Sequence, residues 1–295
     1  MKDFRAKMSN SDSDYQFKLP FEATNQMVND YHENGYLIIR NMFDKEEIDN
    51  IEKCVTGKTF MRNHYELEEK DNKIVRVVWR HPGDDVTGMA ARSEKIVNTC
   101  EKLLGGEVYH YHSKLILKDP RISGPIYWHQ DYGYWYHYGN LFPDLLTVFV
   151  AVDPSKKVNG CLEVLKGSNK CGRMEHHVLD GQNQIKEVDR LDAIKERLPH
   201  VYAEMEQGDV LFLHSNTLHY SSPNRSEMRR LAFLMCYNKA SNDPIMEHHH
   251  APYTPLKKVP DSAIKECKNY TQLSGKDFIH PTKNKTLIGL KDQSH

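Results

Sequence analysis

Trp128-His129-Gln130-Asp131 closes a strand-like run that begins near residue 126. In an extended strand, residues i and i+2 point to the same face, so the pattern predicts that the His129 imidazole and the Asp131 carboxylate project together. Two histidines and one carboxylate leave three positions open on a metal ion, as in non-haem iron(II) oxygenases. A His-x-Asp pair alone is common by chance, so the rest of the chain decides its meaning.

A later strand supplies the candidate for the second histidine. The run Gly208-Asp-Val-Leu-Phe-Leu213 is typical of a buried strand, and His219 follows it in Leu218-His219-Tyr220-Ser221. If these runs belong to one barrel, His219 joins His129 and Asp131 as the third metal ligand. We therefore predict a metal site made of these three residues.

Arg230 follows His219 by eleven residues and begins an apolar run that extends to Tyr237. The turn Pro223-Asn224-Arg225 predicts that the two flanking runs form an antiparallel pair, which would place Arg230 inside the barrel. A guanidinium there could bind the far carboxylate of 2-oxoglutarate through two parallel hydrogen bonds. The pattern equally allows Arg230 to point outward, because Arg229 must face the opposite side.

Short strand-like runs separated by turn residues predict a barrel or sandwich, of which a double-sheet jelly roll is one form. The expected fold class is mainly β with flanking helices. The predicted strands cover residues 36–39, 73–79, 107–118, 126–131, 145–152, 161–165, 201–205, 209–214 and 231–237. The predicted helices run from Thr24 to Gly35, from Asp44 to Gly57, over 89–104 and over 189–197, with a charged loop at 58–72.

Length and composition indicate one folded domain. The 295 residues are 39% hydrophobic and 27% charged with a formal net charge of -1, which excludes an overall basic field for nucleic acid. We expect a flexible tail over residues 1–20, a single domain over 21–295 and a jelly-roll core over about 107–240. No apolar run suggests a membrane span or a secretory signal, so a cytoplasmic location is expected. The sequence predicts no particular oligomeric state.

Six cysteines are scattered along the chain, and none belongs to a CxxC pair. This spacing favours reduced thiols in an intracellular protein over a disulfide framework or a zinc site. Their positions are Cys54, Cys100, Cys161, Cys171, Cys236 and Cys267.

Other histidine and aromatic groups offer alternatives. His110 and His112 form a second period-two pair that could build a cupin-type site, although that site would leave Arg230 unexplained. The tract His248-His249-His250 fits a polar loop that could border the active site. The aromatic run after the metal motif either packs as a loop or forms a substrate wall or cage. The candidate substrate contacts are Tyr132, Tyr134, Trp135 and His176.

Ordered motifs between about residues 30 and 240 resemble the phytanoyl-CoA dioxygenase family of Fe(II)/2-oxoglutarate oxygenases. The opening Glu33-Asn-Gly-Tyr-Leu-Ile-Ile39 with Phe43-Asp-Lys-Glu-Glu-Ile48 resembles the N-terminal region of that family. The segment Trp128 to Asp131 is similar to its iron motif. Asn159-Gly160-Cys161-Leu162, followed by Lys166-Gly167-Ser168-Asn169, resembles the central signature of the family. The stretch from Gly208 through His219 to Arg230 resembles the second half of the family's sequence pattern.

The resemblance implies a double-stranded β-helix and assigns roles to individual residues. His129, Asp131 and His219 would bind Fe(II). Arg230 would bind the 5-carboxylate of 2-oxoglutarate, with Ser221 as a second contact. Dioxygen would be the other cosubstrate, and ascorbate is a candidate reductant.

Further cosubstrate contacts follow from the resemblance but depart from the family pattern. Gln130 lies within the iron motif, Phe149 stands where some members carry Trp, and Lys114 stands where some carry Met. An upstream basic contact would be Lys73 or Arg76. Lys166 and Asn169 also replace the Pro and His of the central signature, at positions that hold no metal ligand.

Asp131 bears on the type of reaction. Related halogenases lack this carboxylate, so its presence favours hydroxylation, or a variant such as desaturation. The expected activity is hydroxylation of a C–H bond in a small, polar metabolite, with release of succinate and CO₂. The alternatives are a non-enzymatic jelly-roll binding module and a cupin-type dioxygenase that does not use 2-oxoglutarate.

Overall fold

Strands dominate the chain from Val108 onward, and most helices precede them. The computed structural model describes residues 13–69, 72–179 and 182–279. The strands are β1 (Asp14–Gln16), β2 (Tyr36–Arg40), β3 (Tyr65–Glu69), β4 (Asn72–Arg80), β5 (Val108–Lys118), β6 (Ile126–His129), β7 (Leu145–Ala151), β8 (Leu162–Leu165), β9 (His176–Leu179), β10 (Gln182–Ile185), β11 (His200–Ala203), β12 (Val210–His214), β13 (His219–Ser221), β14 (Arg230–Lys239) and β15 (Asp277–Phe278). The helices are α1 (Asn25–Asn34), α2 (Lys45–Val55), α3 (Lys58–Met61), α4 (Val86–Arg92), α5 (Glu94–Leu104), α6 (Asp131–Trp135), α7 (Val188–Arg197) and α8 (Ala263–Glu266).

Two sheets form the jelly roll. The larger sheet has the strand order β1-β2-β12-β7-β14-β5-β4-β15, with β3 paired to β4, and the smaller has the order β11-β8-β13-β6. The hairpin of β9 and β10 lies against β6. β1 runs parallel to β2, whereas the other pairings between these strands are antiparallel. The predicted fold class, mainly β with flanking helices around a jelly roll, is confirmed.

Side chains alternate along β14 between two separate cores. Leu231 and Phe233 pack in the core shared with the helices, whereas Ala232 and Leu234 pack in the core that contains residues of both sheets. Because successive residues of a strand point to opposite faces, Arg230 shares the side of Ala232 and Leu234. The strand therefore carries Arg230 into the space between the sheets.

The first two helices begin at the predicted caps. The Thr24 hydroxyl accepts the Met27 N–H, and α1 ends at Gly35 with a left-handed φ of 81°. Asp44 and Glu47 form a reciprocal capping box at 3.0 and 2.9 Å. Satisfying these free N–H groups fixes where each helix starts, so its apolar face meets the larger sheet.

Two predictions for the edge of the larger sheet need correction. Residues 1–12 of the expected flexible tail lie outside the described residues, but Asp14–Gln16 forms β1, and Asp14 pairs with Arg40 at 2.6 Å. The expected loop at 58–72 contains α3 and β3. Among the described strands, β3 pairs only with β4.

Smaller differences concern helices and thiols. The helix predicted over 89–104 is two helices, since Ser93 takes extended dihedral angles (φ −61°, ψ 141°) between α4 and α5. All six cysteines are free, as predicted. None of the helices in the described part of the chain has the length and hydropathy needed to span a membrane.

Candidate active site

Three potential metal ligands converge between β6 and β13. His129 ends β6, His219 begins β13, and these two residues face each other in the strand register with ring centroids 4.0 Å apart. Asp131 begins α6. One ligand atom from each of the three residues lies within 4.8 Å of the others. Within the described ranges, this is the only group of His, Cys, Asp or Glu side chains that meets that condition.

The Asp131 carboxylate is oriented toward the site by different contacts from those predicted. The strand ends at His129, so strand alternation does not aim the Asp131 carboxylate. Instead, Oδ1 accepts a hydrogen bond from the Tyr134 hydroxyl at 2.6 Å, and Oδ2 accepts one from Thr147 Oγ1 at 2.8 Å. These two donors hold the carboxylate toward the histidines.

The two histidines present the same ring atom to the site. His129 Nδ1 lies 2.7 Å from the Tyr127 carbonyl, and His219 Nδ1 lies 2.9 Å from the Thr217 carbonyl. Since a carbonyl only accepts, each Nδ1 carries the proton and each Nε2 is left with its lone pair. Burial, followed by the neighbouring His219, lowers the pKa of His129 well below its usual value, and burial also lowers the pKa of His219.

The carboxylate is ionised in the same environment. Burial alone would raise the pKa of Asp131, but Lys114, His219 and His129 hold it well below its usual range. Two neutral imidazoles and one ionised carboxylate are the donor set that suits Fe(II) with open coordination positions. The residues present therefore fit a non-haem iron ion.

Arg230 lies elsewhere on the wall of the same cavity. Its side chain is buried, and Nη1 donates to the Gly160 carbonyl at 2.8 Å and lies 3.4 Å from Ser221 Oγ. Nε is buried with no acceptor among the described residues. Burial lowers the pKa of Arg230 to about 10, which leaves it charged at neutral pH. A buried guanidinium with unused donors fits an anionic ligand.

The predicted antiparallel pairing around residues 223–225 is wrong. β13 pairs with β6 and β8 in the smaller sheet, whereas β14 pairs with β5 and β7 in the larger sheet. The intervening residues 222–229 cross from one sheet to the other. Consequently His219 and Arg230 belong to opposite sheets, and the cavity lies between them. Arg229 faces away from the cavity and pairs with Asp153 and Glu52.

Lys118 is a buried cation that sequence reasoning missed. Its ammonium donates to Ser221 Oγ at 2.7 Å and to the carbonyls of Ser221 and Ser222 at 3.1 and 2.5 Å. Burial, followed by the charge of Arg230, lowers the pKa of Lys118 well below its usual value. Lys118 shares a strand face with Lys114, so period-two alternation was the available signal.

One cavity connects the three candidate metal ligands with Arg230. Ser221, Lys114 and Phe149 line it, as does Tyr134. Of the two candidate upstream cations, Arg76 lines the cavity, whereas Lys73 pairs with Glu66.

The family model of phytanoyl-CoA dioxygenase (PhyH) matches residues 31–232. The chain belongs to the phytanoyl-CoA dioxygenase family. It is 26% identical to an L-proline trans-4-hydroxylase of Streptomyces griseoviridis, over 72% of this chain and 86% of that protein. It is 28% identical to a probable alpha-ketoglutarate-dependent hypophosphite dioxygenase of Stutzerimonas stutzeri, over 74% and 79%.

A solved structure has the same fold. EctD from S. alaskensis, crystallised with 2-oxoglutarate and 5-hydroxyectoine, superposes with a TM-score of 0.67 at 18% identity and covers 85% of this chain and 93% of its own. This similarity supports the jelly-roll fold of the present chain.

Two residues predicted to contact ligands in this family member are turned away from the cavity. The Gln130 amide donates to the carbonyls of Gly172 and Asn216 at 2.9 and 2.8 Å and accepts the Met174 N–H at 2.7 Å. Gln130 does not line the cavity, and its cosubstrate contact stays a prediction. His176 Nε2 accepts the Gln130 backbone N–H at 2.9 Å, and its substrate contact stays a prediction.

The aromatic run divides between cavity and core. Tyr134 lines the cavity, whereas the Tyr132 hydroxyl donates to the Leu141 carbonyl at 2.7 Å. Trp135 is fully buried and packs edge-on against Tyr111 at 5.6 Å. Tyr132 and Trp135 do not line the cavity and pack in the same aromatic cluster as Tyr134, so their substrate roles stay predictions.

The other histidines do not form a second metal site among the described residues. His112 stacks on His250 with centroids 4.5 Å apart, and His110 Nε2 lies 2.7 Å from Ser113 Oγ. The tract lies in a loop, as expected, with His248 and His249 partly exposed and His250 buried. The donor arrangement thus gives no support to a cupin-type site at His110 and His112.

Proposed function

We propose that this chain is an Fe(II)- and 2-oxoglutarate-dependent dioxygenase that hydroxylates a C–H bond of a small, polar metabolite with release of succinate and CO₂. The observation that best supports this proposal is a single cavity lined by two neutral imidazoles, one ionised carboxylate and a buried guanidinium with unused donors. The hydroxylase and dioxygenase names of the relatives support this activity.

Each group of residues has a distinct task. His129, Asp131 and His219 would hold the iron, which supplies the redox chemistry that activates O₂. Arg230 and Ser221 bind the 5-carboxylate of 2-oxoglutarate and orient it along the cavity. Ascorbate is included as a candidate reductant that keeps iron in the ferrous state.

The carboxylate of Asp131 favours hydroxylation over halogenation. Tyr134 and Thr147 each donate a hydrogen bond to it, so it is fixed at the site in its ionised form. A carboxylate held there occupies the position that a halide would need on the metal. Apolar walls such as Phe149 and Leu234 limit water near the reacting groups.

The first test is an anaerobic titration of Fe(II) and 2-oxoglutarate, monitored by the visible metal-to-ligand charge-transfer band. Arg230→Met is expected to weaken 2-oxoglutarate binding by about 100-fold, because charge-assisted hydrogen bonds contribute roughly 1.5–3 kcal/mol each. Arg229→Met is the matched control, since this neighbouring arginine faces Asp153 and Glu52 instead. Its titration should follow that of the wild type.

Other outcomes would favour the alternatives. Iron binding without a charge-transfer band would favour a dioxygenase that does not use 2-oxoglutarate. A protein that binds neither iron nor 2-oxoglutarate would be a binding module. Succinate formation that survives His219→Ala would exclude His219 as an essential ligand.

A further inference from the structure

Arg230 faces a second buried cation across the larger sheet. Its strand β14 is antiparallel to β5, and the register places Arg230 directly opposite Lys118. The two side chains are 1% and 0% exposed. Like charges at directly opposite positions destabilise a sheet, and a buried charge is costly unless it has partners. The position of Lys118 therefore calls for a reason other than packing.

Lys118 donates only to uncharged oxygens of the described residues. Its Nζ donates to Ser221 Oγ at 2.7 Å and to the carbonyls of Ser221 and Ser222. Three acceptors match the three donors of an ammonium, whereas a neutral amine would direct its lone pair at one of them. Glu163 acts on the Lys118 charge from a distance, since its carboxylate is bound by His200 and by the Ser222 hydroxyl. All donors of Lys118 are thus committed to two consecutive serines.

These hydrogen bonds determine what the Ser221 hydroxyl offers to a ligand. Its oxygen accepts from Lys118 Nζ and lies 3.4 Å from Arg230 Nη1, so cationic donors face its lone pairs. Its proton is directed to the Gly160 carbonyl at 2.8 Å, because a carbonyl only accepts. A hydroxyl whose oxygen accepts from a cation is itself a stronger donor. Ser221 lines the cavity, so it presents a donor there.

Lys118 itself lies behind this wall of the cavity. Arg230 and Ser221 are among the described residues that line the cavity, whereas Lys118 is not. A carboxylate only accepts hydrogen bonds, so it matches a subsite in which the guanidinium and the hydroxyl both donate. Lys118 can therefore act on such a ligand in two ways, by directing the hydroxyl or through its charge, and the two effects are separable by experiment.

We infer that Lys118 is a positioning residue of the cosubstrate site, which holds the Ser221 hydroxyl as a donor beside the Arg230 guanidinium so that both donate to the distal carboxylate of 2-oxoglutarate. This inference rests on the proposed function and adds a residue to the same site. When the cosubstrate binds, the Ser221 proton turns from the Gly160 carbonyl to the carboxylate, and the hydrogen bond from Lys118 keeps the Ser221 oxygen in place. Lys118 thereby favours oxo acids with a second carboxylate over those that end in a methyl group.

The test compares two oxo acids that differ in the distal group. Anaerobic titrations of the Fe(II)-loaded protein, followed by the charge-transfer band, measure the affinities for 2-oxoglutarate and for 2-oxopentanoate, which ends in a methyl group. Lys118→Met should weaken 2-oxoglutarate binding about tenfold and change 2-oxopentanoate binding less than about twofold. In a Ser221→Ala background, Lys118→Met should weaken 2-oxoglutarate binding less than about threefold, because the hydroxyl that Lys118 positions is then absent.

Two further variants control the measurement. Lys239→Met removes one positive charge from the other end of β14, where Lys239 lies opposite Val108, and should leave both affinities unchanged. Lys118→Gln keeps an N–H donor without the charge and should weaken 2-oxoglutarate binding about threefold. If Lys118→Met does not fold, because three buried acceptors lose their donor, the Lys118→Gln titrations with and without Ser221 decide, and unchanged 2-oxoglutarate affinity there overturns the inference.

The outcomes separate this inference from the proposed function. A charge-transfer band with unchanged 2-oxoglutarate affinity in Lys118→Met overturns the inference and leaves the function intact. Equal losses for both oxo acids would make Lys118 a structural residue, and equal losses of 2-oxoglutarate affinity with and without Ser221 would make it a source of charge alone. Either result overturns the inference. A wild-type protein that shows no band with either oxo acid contradicts the proposed function, and the role of Lys118 falls with it.

Discussion

His176 acts on the metal site through the backbone. Its Nε2 accepts the N–H of Gln130, the residue between two metal ligands, and its Nδ1 lies 2.9 Å from the Met174 carbonyl. A Cβ on Gly133 would lie 2.0 Å from the His176 ring, so the ring packs directly on the first turn of α6. His176 is therefore a positioning residue that fixes the spacing between His129 and Asp131.

Replacing His176 tests this role. His176→Leu removes the acceptor for the Gln130 N–H and should weaken Co(II) or Fe(II) binding by about tenfold, as is typical when a partner of metal ligands is lost. His176→Gln can still offer an acceptor oxygen and should bind metal close to wild-type strength. Metal titration and thermal unfolding of the metal-free protein are measured together. If both variants bind metal equally well but unfold at lower temperatures, His176 contributes to packing and does not position the metal ligands.

Residue type and spacing singled out His129, Asp131, His219 and Arg230, which line one cavity, but not most of their neighbours. Gln130, Tyr132 and Trp135 are close to the ligands in sequence, yet the chain turns into α6 at Asp131 and carries them away from the cavity. Thr147 and Lys118 reach the site because their strands pair with others far along the chain. That information lies in strand order, which local patterns do not contain. The one feature of the sequence that could have indicated a role for Thr147 is that it is a polar residue within the otherwise apolar run of β7.

The turn before β8 shapes the Arg230 end of the cavity. Gly160 has a φ of 77°, and a Cβ there would lie 2.2 Å from the Ser222 carbonyl oxygen. The Gly160 carbonyl accepts hydrogen bonds from both Arg230 and Ser221. Glycine is required at this position by conformation and by the close approach of two backbone segments.

Gly160→Ala is expected to destabilise the protein and to weaken 2-oxoglutarate binding, because the turn must move and with it the acceptor of Arg230. Gly105→Ala is the matched control, since Gly105 has a φ of 68° and nothing within 4 Å of the added Cβ. That control should cost only the left-handed strain, about 1 kcal/mol. Urea unfolding and the charge-transfer titration measure both effects. Equal behaviour of the two variants would show that the contact with Ser222 is unimportant.

The starts of two helices followed from local chemistry, whereas sheet membership did not. The caps at Thr24 and Asp44 located the starts of two helices because a side chain satisfies nearby N–H groups. The turn at 223–225 favours an antiparallel pair of its flanking runs, but the chain crosses between sheets there. Turn residues indicate that the chain changes direction, but they do not determine which strand the following strand pairs with. The polar β9–β10 hairpin gave no alternating apolar pattern to detect.

Across the whole molecule, several histidines are buried in the neutral form. Burial is the main cause that lowers the pKa of His110 to about 3 and the pKa values of His176 and His214 to about 4. The unfolded chain has the ordinary histidine pKa of about 6.5. Between these values the unfolded state binds more protons, so stability falls as the pH falls.

The metal-free protein should therefore lose stability between pH 8 and pH 5. Each of His176 and His214 contributes a loss on the order of 2 kcal/mol, from the interval between folded and unfolded pKa values. The measurement is the free energy of unfolding in urea at pH 8, 6.5 and 5. His214→Asn should show a smaller pH dependence than the wild type. A free energy of unfolding that stays constant over this interval would contradict the prediction.

The crossing of residues 222–229 between the sheets has a consequence for selectivity. His219 and Arg230 stand at the two ends of one short covalent segment whose flanking strands are locked in separate sheets. The distance between the three candidate metal ligands and the Arg230 guanidinium is thus set by the framework and cannot stretch to suit a ligand. If Arg230 holds the distal carboxylate as proposed, 2-oxoadipate, which is one methylene longer, is expected to bind less tightly than 2-oxoglutarate.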